Sequence, residues 1–112
     1  MIFEKIPCIY ILANKRNGTL YVGVTSNLQK RILEHKRSMT KGFTKKYGLH
    51  TLVYYKVCSN MLSAIEREKQ IKAGPRKNKL KLIETSNPSW GDLYKKLFEG
   101  ELITGIASPS IR

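Results

Sequence analysis

At 112 residues the chain has room for one domain with a single modest core. Its composition, 41% hydrophobic and 26% charged, excludes a disordered polymer and is ordinary for a folded protein. Lys and Arg total 21 against 8 acidic residues, a net charge of +13; self-repulsion on that scale argues for a polyanionic partner, nucleic acid ahead of a membrane surface.

The first residues, "MIFEKIPCIYIL", hold an apolar stretch too short to span a bilayer, an acidic residue near the start and no small-residue cleavage site. The expectation is no signal peptide, no membrane-spanning helix and a cytoplasmic protein. Cys8 and Cys58 each sit in an apolar β-like run without metal-type spacing, which reads as free thiols in a reducing compartment rather than a zinc site. "IYILANKRNGTLYVGVT" predicts two strands joined by a two-residue turn at Asn17-Gly18. "SNLQKRILEHKRSM" predicts a helix opened by Ser26, with Gln29 three residues on as in a capping box. "TKGFTKKYG" is a basic connector, and "LHTLVYYKVCS" a third strand. "NMLSAIEREKQIKAG" predicts a second helix that stops at Gly74-Pro75, after which "RKNKLKLIETS" continues as a basic helix. "NPSWGDLYKKLFEG" predicts an amphipathic helix entered at Asn87-Pro88-Ser89, with Trp90, Leu93, Tyr94, Leu97 and Phe98 as an apolar stripe capping the core. The main domain is therefore expected over 1–85, a C-terminal helical extension over 86–100 and a flexible tail over 101–112.

A turn at Asn17-Gly18 sets Arg16 opposite Thr19, Asn14 opposite Tyr21 and Leu12 opposite Gly23. One face of the hairpin then carries Ile9, Ile11, Ala13, Leu20, Val22 and Val24, all apolar, and the other carries Tyr10, Leu12, Asn14, Tyr21, Gly23 and Thr25. The first face is a core. The second places two phenols beside a strand glycine, a position where something approaches the backbone closely. The alternative is that both tyrosines pack under a helix with their hydroxyls at the rim.

Along the first helix, Leu28, Arg31, Ile32, His35 and Met39 share one stripe. Arg31 there can hold phosphate oxygens with its planar fork of donors, or it can pair with an internal carboxylate while His35 serves as a hydrogen-bonded boundary residue. On the second helix Met61, Ala64, Ile65, Glu68, Ile71 and Lys72 form the stripe. Burying a lone carboxylate costs roughly several kcal/mol, so Glu68 needs a partner. An internal salt bridge with Arg31 or Arg67 is one solution; a hard divalent cation completed by water and a substrate phosphate is the other.

Taken together, "CIYIL", "LYVGVTSNLQKRILEH", "GFTKKYGLHTLVYY" and "AIEREKQIK" resemble the GIY-YIG nuclease superfamily, and more narrowly its small single-domain bacterial branch. Cys8-Ile9-Tyr10 stands for the first triplet, with Cys8 in place of glycine, and Tyr21-Val22-Gly23 for the second. Arg31 falls at the helix arginine, His35 fits the "R…EH" form of the branch, and Glu68 aligns with the metal-binding glutamate. The resemblance runs from about Pro7 to Glu84 and extends to the "NPSWGDLY" ending.

This resemblance implies an α+β fold, a small central antiparallel three-stranded sheet flanked by helices. It also implies phosphodiester hydrolysis with one divalent ion, Mg²⁺ or Mn²⁺, held by Glu68. Arg31 would stabilise charge on the phosphate. Tyr10 would help take the proton of the attacking water, and Tyr21 would position that water or share the role. His35 would orient water or phosphate, or act as the base, since a phenol with an unperturbed pKa of about 10 is a poor base at neutral pH. Gly23, Thr25, Lys30, Lys45, Lys46, Lys69 and Lys72 are the expected substrate contacts, within a wider set of basic residues many of which are simply solvated.

The expected activity is a metal-dependent, structure-directed DNA endonuclease linked to repair or recombination. DNA ranks ahead of RNA as partner, a protein partner could supply specificity, and the chain is a monomer or a weak dimer. The alternative is an inactive or partner-dependent nucleic-acid-binding module on the same fold. A basic structural protein of a ribonucleoprotein particle ranks last, because it leaves the tyrosines and Glu68 without a purpose.

Overall fold

The structure is a computed structural model and describes residues 6–37, 42 and 46–97. Within them lie strands β1 (Cys8–Ala13), β2 (Leu20–Thr25) and β3 (Thr51–Val57), and helices α1 (Leu28–Lys36), α2 (Met61–Ala73) and α3 (Arg76–Ser86). Met39, Lys45, Phe98 and the tail expected over 101–112 lie outside the described residues.

The strands form one antiparallel sheet in the order β2-β1-β3. β1, "CIYILA", holds no charged residue, and all six of its side chains are buried, as a central strand covered on both faces requires. β2 is therefore an edge strand. The α+β architecture with a three-stranded antiparallel sheet agrees with the expectation.

The hairpin register does not. Leu12 faces Tyr21 and Tyr10 faces Gly23, so Asn14 does not oppose Tyr21. The turn spans Lys15–Gly18, with the Gly18 N–H donating to the Lys15 carbonyl (2.9 Å), and Asn17 alone takes a positive φ of 57°. Asn14 closes this longer loop, since its Oδ1 accepts from the Thr19 N–H at 2.9 Å. Gly18 is needed for space: a Cβ there would lie 2.1 Å from that same Oδ1. The first helix also starts one residue late. Asn27, not Ser26, is the N-cap; its side chain accepts from the Lys30 N–H (3.2 Å) while its own N–H goes to Thr25 Oγ1 (3.0 Å).

α2 and α3 follow their sequence signals. Asn60 caps α2 through the Ser63 N–H, Gly74 ends it, and Pro75 opens α3. Instead of a single core, the sheet has a packed layer on each face. On one side Ile9, Ile11, Ala13, Val22 and Val53 meet Ala64 and Ile71 of α2 and Ile83 of α3. On the other Cys8, Tyr10, Leu12 and Leu52 meet Leu28 and Ile32 of α1. Both cysteines are free thiols, and burial raises the pKa of Cys8.

The C-terminal stripe is divided between these layers. Trp90 joins the α2–α3 side, whereas Leu93, Tyr94 and Leu97 pack on the α1 side. A helix entered at Asn87 is prevented by the loop itself. The Asn87 side chain donates to the Val53 and Gly91 carbonyls and accepts from the Gly91 N–H, Trp90 takes φ 60°, and helical structure begins only at 94. Asp92 then fixes the crossing, accepting from the Leu52 and Tyr94 N–H groups and pairing with Lys36. Among the described residues no helix is long and apolar enough to cross a membrane.

Candidate active site

Register puts Tyr10 directly opposite Gly23 and Tyr21 diagonal to it on the same sheet face. The group that approaches the Gly23 backbone is the Tyr10 phenol: a Cβ at position 23 would lie 2.4 Å from its Cζ and 2.5 Å from its oxygen. α1 lies across this face and delivers His35 onto the phenols. The Tyr10 hydroxyl is 3.1 Å from His35 Nε2. The three rings form a near-equilateral cluster, with centroids 6.2 Å apart for Tyr10–Tyr21 and 5.8 Å for each tyrosine to His35. Tyr10 is 1% exposed and His35 2%, while Tyr21 stays half-buried at the sheet edge.

Burial sets the ionisation of Tyr10 and His35. It pushes the Tyr10 phenol up to about 12, against the opposing hydrogen bond and charge of Arg31. It brings the His35 imidazole down to about 4, with the Arg31 charge adding to the effect. Both groups are therefore neutral at pH 7. Burial also works against the Arg31 cation, but Tyr10 and Glu34 outweigh it and hold its pKa above the ordinary value. Arg31 pairs with Glu34 at 3.1 Å, and 39% of its side chain is exposed.

Glu68 arrives from α2, at the β2 edge. It is 8% exposed, and its Oε2 is 2.7 Å from Lys72 Nζ, one turn along the helix. Lys72 Nζ in turn stands 5.7 Å from the centre of the Tyr21 ring. Lys72, rather than Arg31 or Arg67, is thus the internal partner of Glu68; Arg67 bonds Gln70 instead. Tyr21 is the residue on which the two halves meet, with the Tyr10 and His35 rings on one side and the Lys72 ammonium, itself paired to Glu68, on the other.

Among the described residues no group of three or more His, Cys, Asp or Glu side chains could hold a metal. The donor set is one nearly buried carboxylate. That does not suit zinc, which takes three or four protein ligands. It does suit a hard divalent cation that keeps most of its waters and shares a substrate phosphate.

The remaining expected contacts are dispersed. Thr25 serves the turn into α1 through its Oγ1. Lys30 is exposed on α1 and Lys69 on α2, Lys46 lies over the Tyr47 ring at 5.5 Å, and Lys45 is outside the described residues. Sequence reasoning missed Tyr55, which lies opposite Tyr10 on β3 and packs against the same cluster; only the β1–β3 register reveals it. Clefts elsewhere on the surface are lined by other residues; here Tyr10 and His35 are covered, while Tyr21, Arg31 and Lys72 are the groups that solvent reaches.

The family model for the GIY-YIG catalytic domain matches residues 6–81. The chain is 38% identical over 76 residues to a UPF0213 protein of Staphylococcus haemolyticus, a match covering 68% of this chain and 92% of that one. It is 38% identical over 76 residues to a UPF0213 protein of Oceanobacillus iheyensis, covering 68% and 87%. A UPF0213 protein of Clostridium perfringens is 38% identical over 79 residues, covering 70% and 84%. No solved structure gives a significant match.

Proposed function

The chain belongs to the GIY-YIG nuclease family, and from that premise we propose that it is a metal-dependent endonuclease hydrolysing phosphodiester bonds in DNA. The observation that supports this most is the meeting at Tyr21 of the Tyr10–His35 couple and the Glu68–Lys72 pair. It brings candidate proton-transfer groups, cations and a nearly buried carboxylate to one edge of the sheet.

In this reading Tyr21, the half-exposed phenol, meets the attacking water. As the water oxygen bonds to phosphorus, its proton passes to the Tyr21 oxygen, the Tyr21 proton moves to Tyr10, and the Tyr10 proton moves to His35 Nε2 across 3.1 Å. His35, a weak base at about 4, holds the proton only transiently and returns it through Tyr10 and Tyr21 to solvent once the step is complete. Arg31, whose cation is reinforced by its neighbours, holds a non-bridging phosphate oxygen, and Lys72 reaches the same phosphate when released from Glu68. One Mg²⁺ or Mn²⁺ ion at Glu68 would supply Lewis-acid stabilisation of the phosphate charge. The ester bond to the leaving oxygen then breaks, and that oxygen takes a proton from solvent.

Recognition in this reading is of nucleic-acid shape rather than sequence, in keeping with a role in repair or recombination. A protein partner would add specificity. The second reading, a binding module without turnover, draws support from the closed Tyr10 and His35 and the already paired Glu68.

A cleavage assay on duplex, single-stranded, flapped and four-way DNA and an RNA hairpin separates the two. Metal-dependent cutting by the wild type, lost in Glu68→Gln and with EDTA, is the expected result. Binding without cutting in either protein would sink the enzyme in favour of the module.

A further inference from the structure

Two stretches without a single acidic residue, 5–33 and 69–83, are brought together at the tip of the β1–β2 hairpin. Arg76, the first residue of α3, makes the junction by donating from one guanidinium nitrogen to the Asn17 and Gly18 carbonyls, at 2.9 and 2.6 Å. Between the hairpin and α3 runs a groove of about 660 Å³, lined by Asn14, Lys15, Thr19, Leu20, Arg76 and Lys79 among others, none of them acidic.

The geometry points to this groove as a second phosphate-binding site, one that holds the nucleic-acid backbone at the tip of the hairpin, away from the scissile phosphate. The inference rests on the nuclease reading above and adds where the strand runs.

Three observations carry it. The first is charge: Lys15, Arg76 and Lys79 surround the groove without a carboxylate to neutralise them, so an anion entering it meets net positive charge and releases counterions. The second is fixation. Arg76 is held by two backbone carbonyls, and Lys79 Nζ by the Gly74 and Lys72 carbonyls at 2.8 and 3.3 Å, so neither cation must be ordered when a ligand arrives. The third is continuity with the candidate active site. Lys79 bonds the backbone carbonyl of Lys72, whose ammonium reaches the Tyr21 ring at the β2 edge. The start of α3 adds to the same field, since Pro75 gives it no side-chain cap and its partial positive charge faces this end.

The test measures binding of a short labelled DNA duplex by fluorescence anisotropy across a salt series in EDTA, followed by cleavage kinetics with metal. The variants are Lys15→Gln, which removes no hydrogen bond described here, and Arg76→Gln. Lys56→Gln, on the opposite edge of the sheet, is the control. Each groove variant should lower the slope of log K against log salt by about 0.9 and weaken binding about eightfold at 0.1 M salt. KM should rise with kcat unchanged, and the control should match wild type. Should Lys15→Gln and Arg76→Gln bind and titrate like wild type, the groove is wrong while the nuclease reading stands. A wild type that binds no nucleic acid would take down both.

Discussion

The Tyr10 hydroxyl and His35 Nε2 lie 3.1 Å apart, although 25 residues separate them in sequence and they belong to different elements. Each excludes the other from water, and that shared burial, more than the hydrogen bond, determines how both titrate.

Stability should therefore depend on pH in two windows. In the unfolded chain the imidazole takes up a proton near 6.5, but in the fold only near 4. Between these values the unfolded state binds more protons, so stability falls as pH drops from 6.5 to 4, by up to about 3 kcal/mol. Tyr10 acts at the other end: its phenol ionises near 10 when unfolded and about 12 when folded, so stability falls again as pH rises through that range. Urea unfolding from pH 4 to 8 measures the acid window. His35→Gln should flatten it, and an unchanged slope in that variant would assign the acid sensitivity to other groups.

Gly23→Ala should damage stability and cleavage together. The new Cβ would come within 2.4 Å of the Tyr10 ring, which is enclosed and has nowhere to swing. Overpacking of this kind costs about 1–3 kcal/mol, which in a domain of this size lowers the melting temperature by roughly 4–8 °C per kcal/mol. In a Tyr10→Leu background the clashing ring is gone, so the same substitution should cost much less. Equal costs in both backgrounds would show that the glycine is required for some other reason.

Arg31→Ala should separate function from stability. Its ion pair with Glu34 is at the surface, with side chains 39% and 27% exposed, pairs of that kind contribute about 0–1 kcal/mol, and the Tyr10 hydroxyl, which also bonds Arg31, keeps His35 as a partner. If Arg31 holds the phosphate as proposed, losing its donor should instead cost roughly 10²–10³-fold in kcat. Arg31→Lys should recover part of the rate, because it restores charge without the planar fork. A variant that unfolds but retains its specific activity would place Arg31 in the scaffold.

The division of the hairpin into an apolar and a phenolic face was legible in the sequence even though the expected pairing was wrong. The expected and actual registers differ by two residues, an even number, so every side chain keeps its face. That is why Tyr10 and Tyr21 stand together, and why the helical stripe with Arg31 and His35 could be matched to them. The turn was misread because Asn-Gly signals a two-residue loop only when no nearby side chain offers the backbone another partner. Asn14 does so here. Likewise Ser26 and Asn27 are both good caps, and the choice between them depends on where Thr25 sends its hydroxyl. The pairing of Glu68 with Lys72 was available as an i, i+4 relation, but that spacing cannot tell a surface pair from one at a functional edge.

The C-terminal stripe was misread for a different reason, and its cause gives the last prediction. Trp90 and Leu93 are three apart, so in a helix they would share a face; in the fold they sit on opposite sides of the sheet. The 7% exposed Asn87 makes this crossing by bonding the Val53 and Gly91 carbonyls and the Gly91 N–H. Asn87→Ala leaves those groups unsatisfied beside a Trp90 in left-handed backbone, at an expected cost of about 1–3 kcal/mol. None of the three bonds touches Tyr10, Tyr21, His35 or Glu68, so the folded fraction should cut DNA at the wild-type rate. Urea denaturation and specific activity measured on the same sample check both parts. A variant of full stability would mean that the Trp90 indole, packed in the core and bonded to Glu84 at 3.1 Å, holds the crossing without Asn87.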